Sequence, residues 1–196
     1  MANLIFDYIV AENSKWATAF PTLDVAQAQR KLEIRAVEFN QLASAHALIK
    51  ADEKVDAAFS CLGTTRKDAG SAEAFRKVDL EYTTQFGQAA KVANVPYFGL
   101  LTSGGANKNS WLLYLQTKGE AEENIKSLGF ERTSYFRPGV LERGDLTRTF
   151  ETPLSYVFPS ILTGAVAKGM VADYESGVAG VTEWSNTDLK KFQPKK

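Results

Sequence analysis

Residues 96–140 read "PYFGLLTSGGANKNSWLLYLQTKGEAEENIKSLGFERTSYFRPGV", and the fold class follows from how their pattern changes. "PYFGLLTS", 96–103, is a short apolar run without polar alternation, the signature of a strand covered on both faces. Residues 110–128 then take up helical spacing. "RTSYFRPGVL", 132–141, returns to strand and is ended by Pro138 and Gly139. Strand, helix and strand with no hairpin turn between them make a βαβ unit, whose two strands run parallel.

The same alternation extends outward. Upstream, "VDAAFSCLG", 55–63, is a small-residue apolar strand ending in Gly63. Residues 71–94 form a long helix with an apolar stripe through Phe75, Val78, Tyr82, Phe86 and Ala89. Nearer the start, "LIFDYIV", 4–10, and "EIRAVEF", 33–39, read as strands. "TLDVAQAQRKL" has helical spacing, and "NQLASAHALIKA" is a helix with Asn40 as its N-cap. Downstream come an irregular stretch, a helix near 161–174 and a short tail. The expected architecture is α/β, a parallel sheet with helices on both faces, in one domain over residues 1–196.

Composition narrows the function classes. The chain has 196 residues, 44% hydrophobic and 23% charged, with 23 basic and 23 acidic side chains. A zero net charge argues against a nucleic-acid binder, which needs a basic surplus against phosphates. The one cysteine, Cys61, excludes an intrachain disulfide and a CxxC metal site. The one histidine, His46, lies in "LASAHALIK" and reads as a helix-surface residue, so no histidine-rich metal site is available. No segment is long and apolar enough to span a membrane, and "NLIFDYIVA" lacks the features of a signal peptide. A cytoplasmic protein is expected. Its chemistry must run through Tyr, Lys, Ser, Thr or carboxylates.

In parallel sheets ligands bind where strands end and loops lead into helices, here after residues 61, 101 and 139. The loop after 101 holds Thr102, Ser103 and a Gly-Gly pair, and the helix beyond carries Tyr114 and Lys118 four residues apart. Residues at that spacing share a helix face. An ammonium one turn from a phenol favours the phenolate, and a strand-end hydroxyl can hold a carbonyl against it. Tyr-x-x-x-Lys alone equally fits an ordinary helix face, with the tyrosine on the sheet and the lysine reaching water. In "CLGTTRKDAGS", Gly63 allows a tight turn, and Thr64, Thr65 and Arg66 stand where a ribose or phosphate could be met. The turn in "FRPGVLERGD" directs Val140 and Leu141 at the crevice.

Four collinear segments carry a family resemblance: "CLGTTRKDAG", "FRKVDLEY", "LLTSGGANKNSWLLYLQTKGEAE" and "FRPGVL". In order and spacing they resemble the Tat-interacting-protein-like branch of the atypical short-chain dehydrogenase/reductases, well over residues 33–143 and loosely over 144–192. The resemblance implies a Rossmann fold that binds NADP(H) or NAD(H) and reduces a small-molecule carbonyl. It implies Tyr114 as the proton-transfer residue and Lys118 as its partner, which also holds the nicotinamide ribose. Ser103, or less closely Thr102, matches the carbonyl-orienting hydroxyl. Leu62, Gly63 and Leu141 match cofactor-lining positions, and Arg148 matches a cofactor-contacting arginine.

One departure bears on activity. Family members begin with a strand and a Gly-rich turn whose amides hold the pyrophosphate. This chain has no glycine before Gly63, and the nearest cation to its first strand is Lys15. It resembles an N-terminally truncated or divergent member that keeps the catalytic half of the fold. Each missing charge-assisted hydrogen bond is worth roughly 1.5–3 kcal/mol, enough together to abolish nucleotide affinity. Two expectations therefore stand side by side: an oxidoreductase using Tyr114, Lys118 and Ser103, or a non-catalytic relative that binds another protein or its own copy.

Overall fold

The computed structural model describes residues 54–142 and 159–194, with the backbone of two short strands near the start. Those two, β1 (Leu4–Ile5) and β2 (Leu32–Glu33), pair in parallel. The rest of the strands and helices expected before residue 54, with Lys15, Asn40 and His46, lies outside the described residues, as does Arg148.

The main sheet has four parallel strands in the order β3 (Ala57–Ser60), β4 (Tyr97–Leu101), β5 (Arg132–Arg137) and β8 (Gly180–Ser185). A second parallel pair joins β6 (Leu141–Glu142) to β7 (Ile161–Leu162). Alternation along the strands divides two cores. Ala58, Phe98, Leu100 and Tyr135 face one way, packing with Ala90, Ile125 and Phe130. Phe136 faces the other, joined by Ile161, Val166, Met170 and Leu189 with Phe59 and Leu101 beside them. Helices therefore cover both faces of the sheet, as the apolar runs imply.

Helix starts follow local chemistry. α1 (Arg66–Ala69) is capped by Thr65, whose hydroxyl accepts from the Asp68 amide at 3.0 Å. α2 (Ala72–Arg76) is capped by Ser71 in the same way. These caps satisfy amides that have no partner within the helix. α2 runs on through a π-helical segment (Lys77–Tyr82) into α3 (Thr83–Val92). The buried positions along this composite helix include Phe75, Asp79, Thr83 and Gly87, a sustained step of four. Val78, Tyr82 and Phe86, assigned to the stripe on a 3.6-residue period, are only half-buried. The wider turn of the π segment moves the inward face by about one position.

α4 (Leu113–Ser127) lies on the same face as α3. α5 (Thr163–Ser176) and α6 (Asn186–Lys190) cover the opposite one. The expected short tail is corrected here. Residues 180–190 form β8 and α6, and β8 extends the main sheet beside β5 from Arg132↔Gly180 to Arg137↔Ser185. The strand expected over 132–141 is likewise two elements, because the turn at Pro138–Gly139 sends the chain into β6.

Candidate active site

Strands β3 and β4 deliver residues 61–65 and 102–105 to one edge of the sheet, and α4 starts beside them. The loop before α4 is tied to the helix. The Asn107 amide donates to the Leu115 carbonyl at 3.0 Å. A Cβ placed on Gly119 would meet the Lys108 nitrogen at 2.2 Å. Only glycine lets the backbone of that loop lie against the helix one residue after Lys118.

Lys118 is buried, and its ammonium meets a carboxylate absent from the sequence reading. Nζ lies 2.7 Å from Asp79 Oδ1, with both side chains almost wholly removed from solvent. The other oxygen, Asp79 Oδ2, accepts from the Thr64 amide at 2.8 Å. The pair sits beneath Gly63, where an added Cβ would be 3.5 Å from Nζ and 3.6 Å from Asp79 Oδ1. Arg76 and Glu120 bridge the same helices at 2.6 Å on a more exposed flank. "FRKVDLEY" held one usable signal for Asp79: four residues after Phe75, a carboxylate falls on the inward side of the helix.

Tyr114 lies one turn before Lys118 and is 39% exposed. Its ring rests on Phe75 with centroids 6.0 Å apart. Next to it Trp111 is 90% exposed and Leu112 partly so. The strand-end hydroxyls differ. Thr102 is buried, its amide continues the ladder by donating to the Phe136 carbonyl at 2.9 Å, and its hydroxyl has no partner among the described residues. Leu100 and Thr102 share one side of β4 by alternation, the side that α4 covers. Ser103 is half-buried, and its hydroxyl donates to the Gly104 carbonyl at 3.3 Å.

Leu62 is half-buried and Gly63 exposed, adjoining the ion pair. Leu141 packs against the Phe136–Ile161 core on the other face of the sheet. The loops after β4 and β5 meet the end of β8 around a cleft of about 270 Å³, lined by Gly104, Gly105, Arg137, Gly139, Ser185 and Asn186. Arg137 is held there by Glu122, which accepts from both its Nε and Nη2 at 3.0 and 2.6 Å. Among the described residues no cluster of acidic, histidine or cysteine side chains could hold a metal ion, and no helix is long and apolar enough to cross a membrane.

Protein HTATIP2 of Rattus norvegicus is 50% identical over 86 residues, 44% of this chain and 35% of that protein. Protein FMP52-1, mitochondrial, of Scheffersomyces stipitis is 43% identical over 110 residues, 56% of this chain and 49% of that one. The chain is a homologue of HTATIP2 and FMP52. A further homologue, Protein FMP52, mitochondrial, of Meyerozyma guilliermondii, is 35% identical over 150 residues, 75% of this chain and 65% of that one. The chain thus spans less than two thirds of the length of these HTATIP2 and FMP52 relatives. No family model matches it.

Solved structures agree on the fold. MoeE5 in complex with UDP-glucose and NAD superposes with a TM-score of 0.62 at 13% identity, over 78% of this chain and 62% of that one. WbmH of Bordetella bronchiseptica in complex with NAD+ gives 0.57 at 16% identity, over 79% and 60%. The parallel sheet is Rossmann-like, as the resemblance implied. The cytoplasmic expectation is corrected by the FMP52 homologues, whose names place them in mitochondria.

Proposed function

We propose that this chain is an NAD(P)(H)-dependent oxidoreductase that interconverts a carbonyl and an alcohol, working in mitochondria like the FMP52 proteins. One observation carries the reading: the Lys118 ammonium is buried beneath the exposed backbone of Gly63, one turn from a solvent-accessible Tyr114.

The residues fit the nicotinamide–ribose half of the cofactor. Gly63 leaves open the space that a side chain would fill, and an ammonium has three donors, while Asp79 pairs with its charge from one side. Lys118 is thereby left able to hold ribose hydroxyls, with Gly63 beside it and Leu62 next in the chain. Bound there, the cofactor supplies the hydride. Tyr114 gives its phenolic proton to the carbonyl oxygen during reduction and takes it back during oxidation. The Lys118 charge stabilises the phenolate left behind. A strand-end hydroxyl fixes the carbonyl; Ser103 matches the family position, and Thr102 has an uncommitted hydroxyl on the side of β4 that faces α4. The cleft at Gly104 and Arg137 receives the remainder of the substrate.

Titration with NADPH and NADH, followed by nucleotide fluorescence, tests the reading. Binding is expected, and Tyr114→Phe should retain it while losing about 100-fold or more of turnover, the scale of a positioned acid–base group. No binding at millimolar nucleotide would sink the oxidoreductase reading. It would leave a protein-binding module, a role favoured by Trp111 standing exposed beside the phenol.

A further inference from the structure

We infer that Asp79 is a positioning residue that builds the Lys118 site, an inference resting on the assignment of Lys118 to the nicotinamide ribose. Its two oxygens reach two different elements. Oδ1 holds the ammonium on α4, and Oδ2 receives the Thr64 amide from the turn after β3. One carboxylate therefore fixes both the cation and the loop that together would border the ribose. Neither element contributes a carboxylate of its own to this contact.

The energetics argue against mere stabilisation. Removing an ammonium and a carboxylate from water costs several kcal/mol for each ion, and an apolar pair of similar volume usually holds a fold as well. The helix is also shaped around the contact. Asp79 lies within the π-helical segment, and the turn widened there keeps Phe75, Asp79 and Thr83 on the buried side in succession. Local π turns of this kind often mark functional positions. The ammonium is further insulated: the flanking Arg76 and Glu120 neutralise each other, so Asp79 is the anion left facing Lys118 among the described residues. Gly63, exposed and without a side chain, lies against the pair on the other side, where an added Cβ would touch Nζ at 3.5 Å.

Lysine side-chain ¹⁵N–¹H spectra of the purified chain read this arrangement without any cofactor. An ammonium held in a buried ion pair exchanges its protons with water slowly, whereas exposed lysines lose their signal to exchange. The expected result is a protected signal that vanishes in Lys118→Gln, and also in Asp79→Asn and Asp79→Ser. A protected Lys118 signal in either folded Asp79 variant overturns the proposal, and so does its absence from the wild-type chain. That wild-type arm stands whether or not the variants fold, which near-UV circular dichroism reports.

The same samples are then titrated with NADPH. Asp79→Asn should weaken binding by about ten-fold or more, the scale of one lost charge-assisted contact. Binding unchanged by Asp79→Asn overturns the positioning role alone. A protected ammonium in a wild-type chain that binds no nucleotide upholds the clamp and removes the oxidoreductase reading instead.

Discussion

Two buried carboxylates lie on opposite faces of the sheet, and they are alike only in burial. Asp173, on α5, accepts from the Tyr97 hydroxyl at 2.8 Å, the Ser134 hydroxyl at 2.6 Å and the Trp184 indole at 2.8 Å. Its donors are neutral and come from β4, β5 and β8, so it fastens three strands to a helix. Arg132 reinforces the junction from outside, bonding the Asp173 carbonyl at 2.9 Å and stacking on the Tyr97 ring. Asp79 has one ammonium, from Lys118, and one loop amide, from Thr64, both next to Gly63. The contrast teaches that burial alone does not distinguish two carboxylates; the nature and location of their partners do. Three neutral donors from three strands make a rivet, whereas one ammonium and one loop amide make the contact proposed above as part of a site.

The largest effect should come from breaking the rivet. Asp173→Ala leaves two buried hydroxyls and a half-buried indole N–H without an acceptor, each at a cost of about 1–3 kcal/mol. Urea denaturation should show a loss of at least about 3 kcal/mol, or no folded protein at all. No single partner change can repair it, since the donors come from three strands.

Asp79→Asn should be next. It strands a buried cation, at about 3 kcal/mol or more by denaturant midpoint. Here one compensating change should work: adding Lys118→Gln removes the unpaired charge and returns most of the stability without returning nucleotide binding. If the double variant is as unstable as the single one, Asp79 belongs with Asp173 and the contrast fails.

Gly119→Ala sharpens the comparison from the side of the helix. The new methyl would collide with backbone at Asn107 and Lys108, which cannot move aside as a flexible side chain would. A loss of about 1–3 kcal/mol is expected on thermal unfolding. Nucleotide-linked turnover should fall further than stability, because the same loop leads from Ser103.

The smallest effect should fall at the start of α6, whose cap bonds neither carboxylate. Ser185 and Asp188 form a reciprocal capping box, and Ser185→Ala should cost about 1 kcal/mol. Hydrogen bonds from Lys191 and then Ser185 hold the Asp188 carboxyl down near 2. A lowered carboxyl favours the folded state above its ordinary range, near 4, and that contribution disappears as pH falls toward 2. The difference between Ser185→Ala and wild type should therefore shrink between pH 4 and pH 2 in acid unfolding.

Much of this was legible in the residues. The uninterrupted apolar runs at 57–60 and 97–101 could only be strands covered on both sides, so parallel order and helices on both faces followed. The Tyr114–Lys118 spacing and Gly63 also pointed to the strand ends where Lys118 meets Asp79. Asp79 was hidden because its significance lies in a partner 39 positions away, and because the helix does not keep a 3.6-residue period around it. β8 escaped for a different reason. In "GVTEWS" only Thr182 and Trp184 turn toward protein, too few alternations to separate an edge strand from a tail. The resemblance preferred Ser103 to Thr102; that the Thr102 amide continues the ladder one residue beyond Leu101 was equally out of reach.

Parallel pairing also governs how such a chain can reach its native state. No strand of the main sheet can close on its neighbour through a tight hairpin; the first pairing, Ser60 with Leu100, joins positions forty residues apart. The entropy of closing such a loop is spent before any ladder contact repays it, which makes this topology slow to form. Lys118 can meet Asp79 only once the helices that follow β3 and β4 have docked on the same face. The ion pair should therefore appear late in refolding, after the sheet. Until then "YFGLL" is an exposed apolar strand, and refolding yield should fall as protein concentration rises.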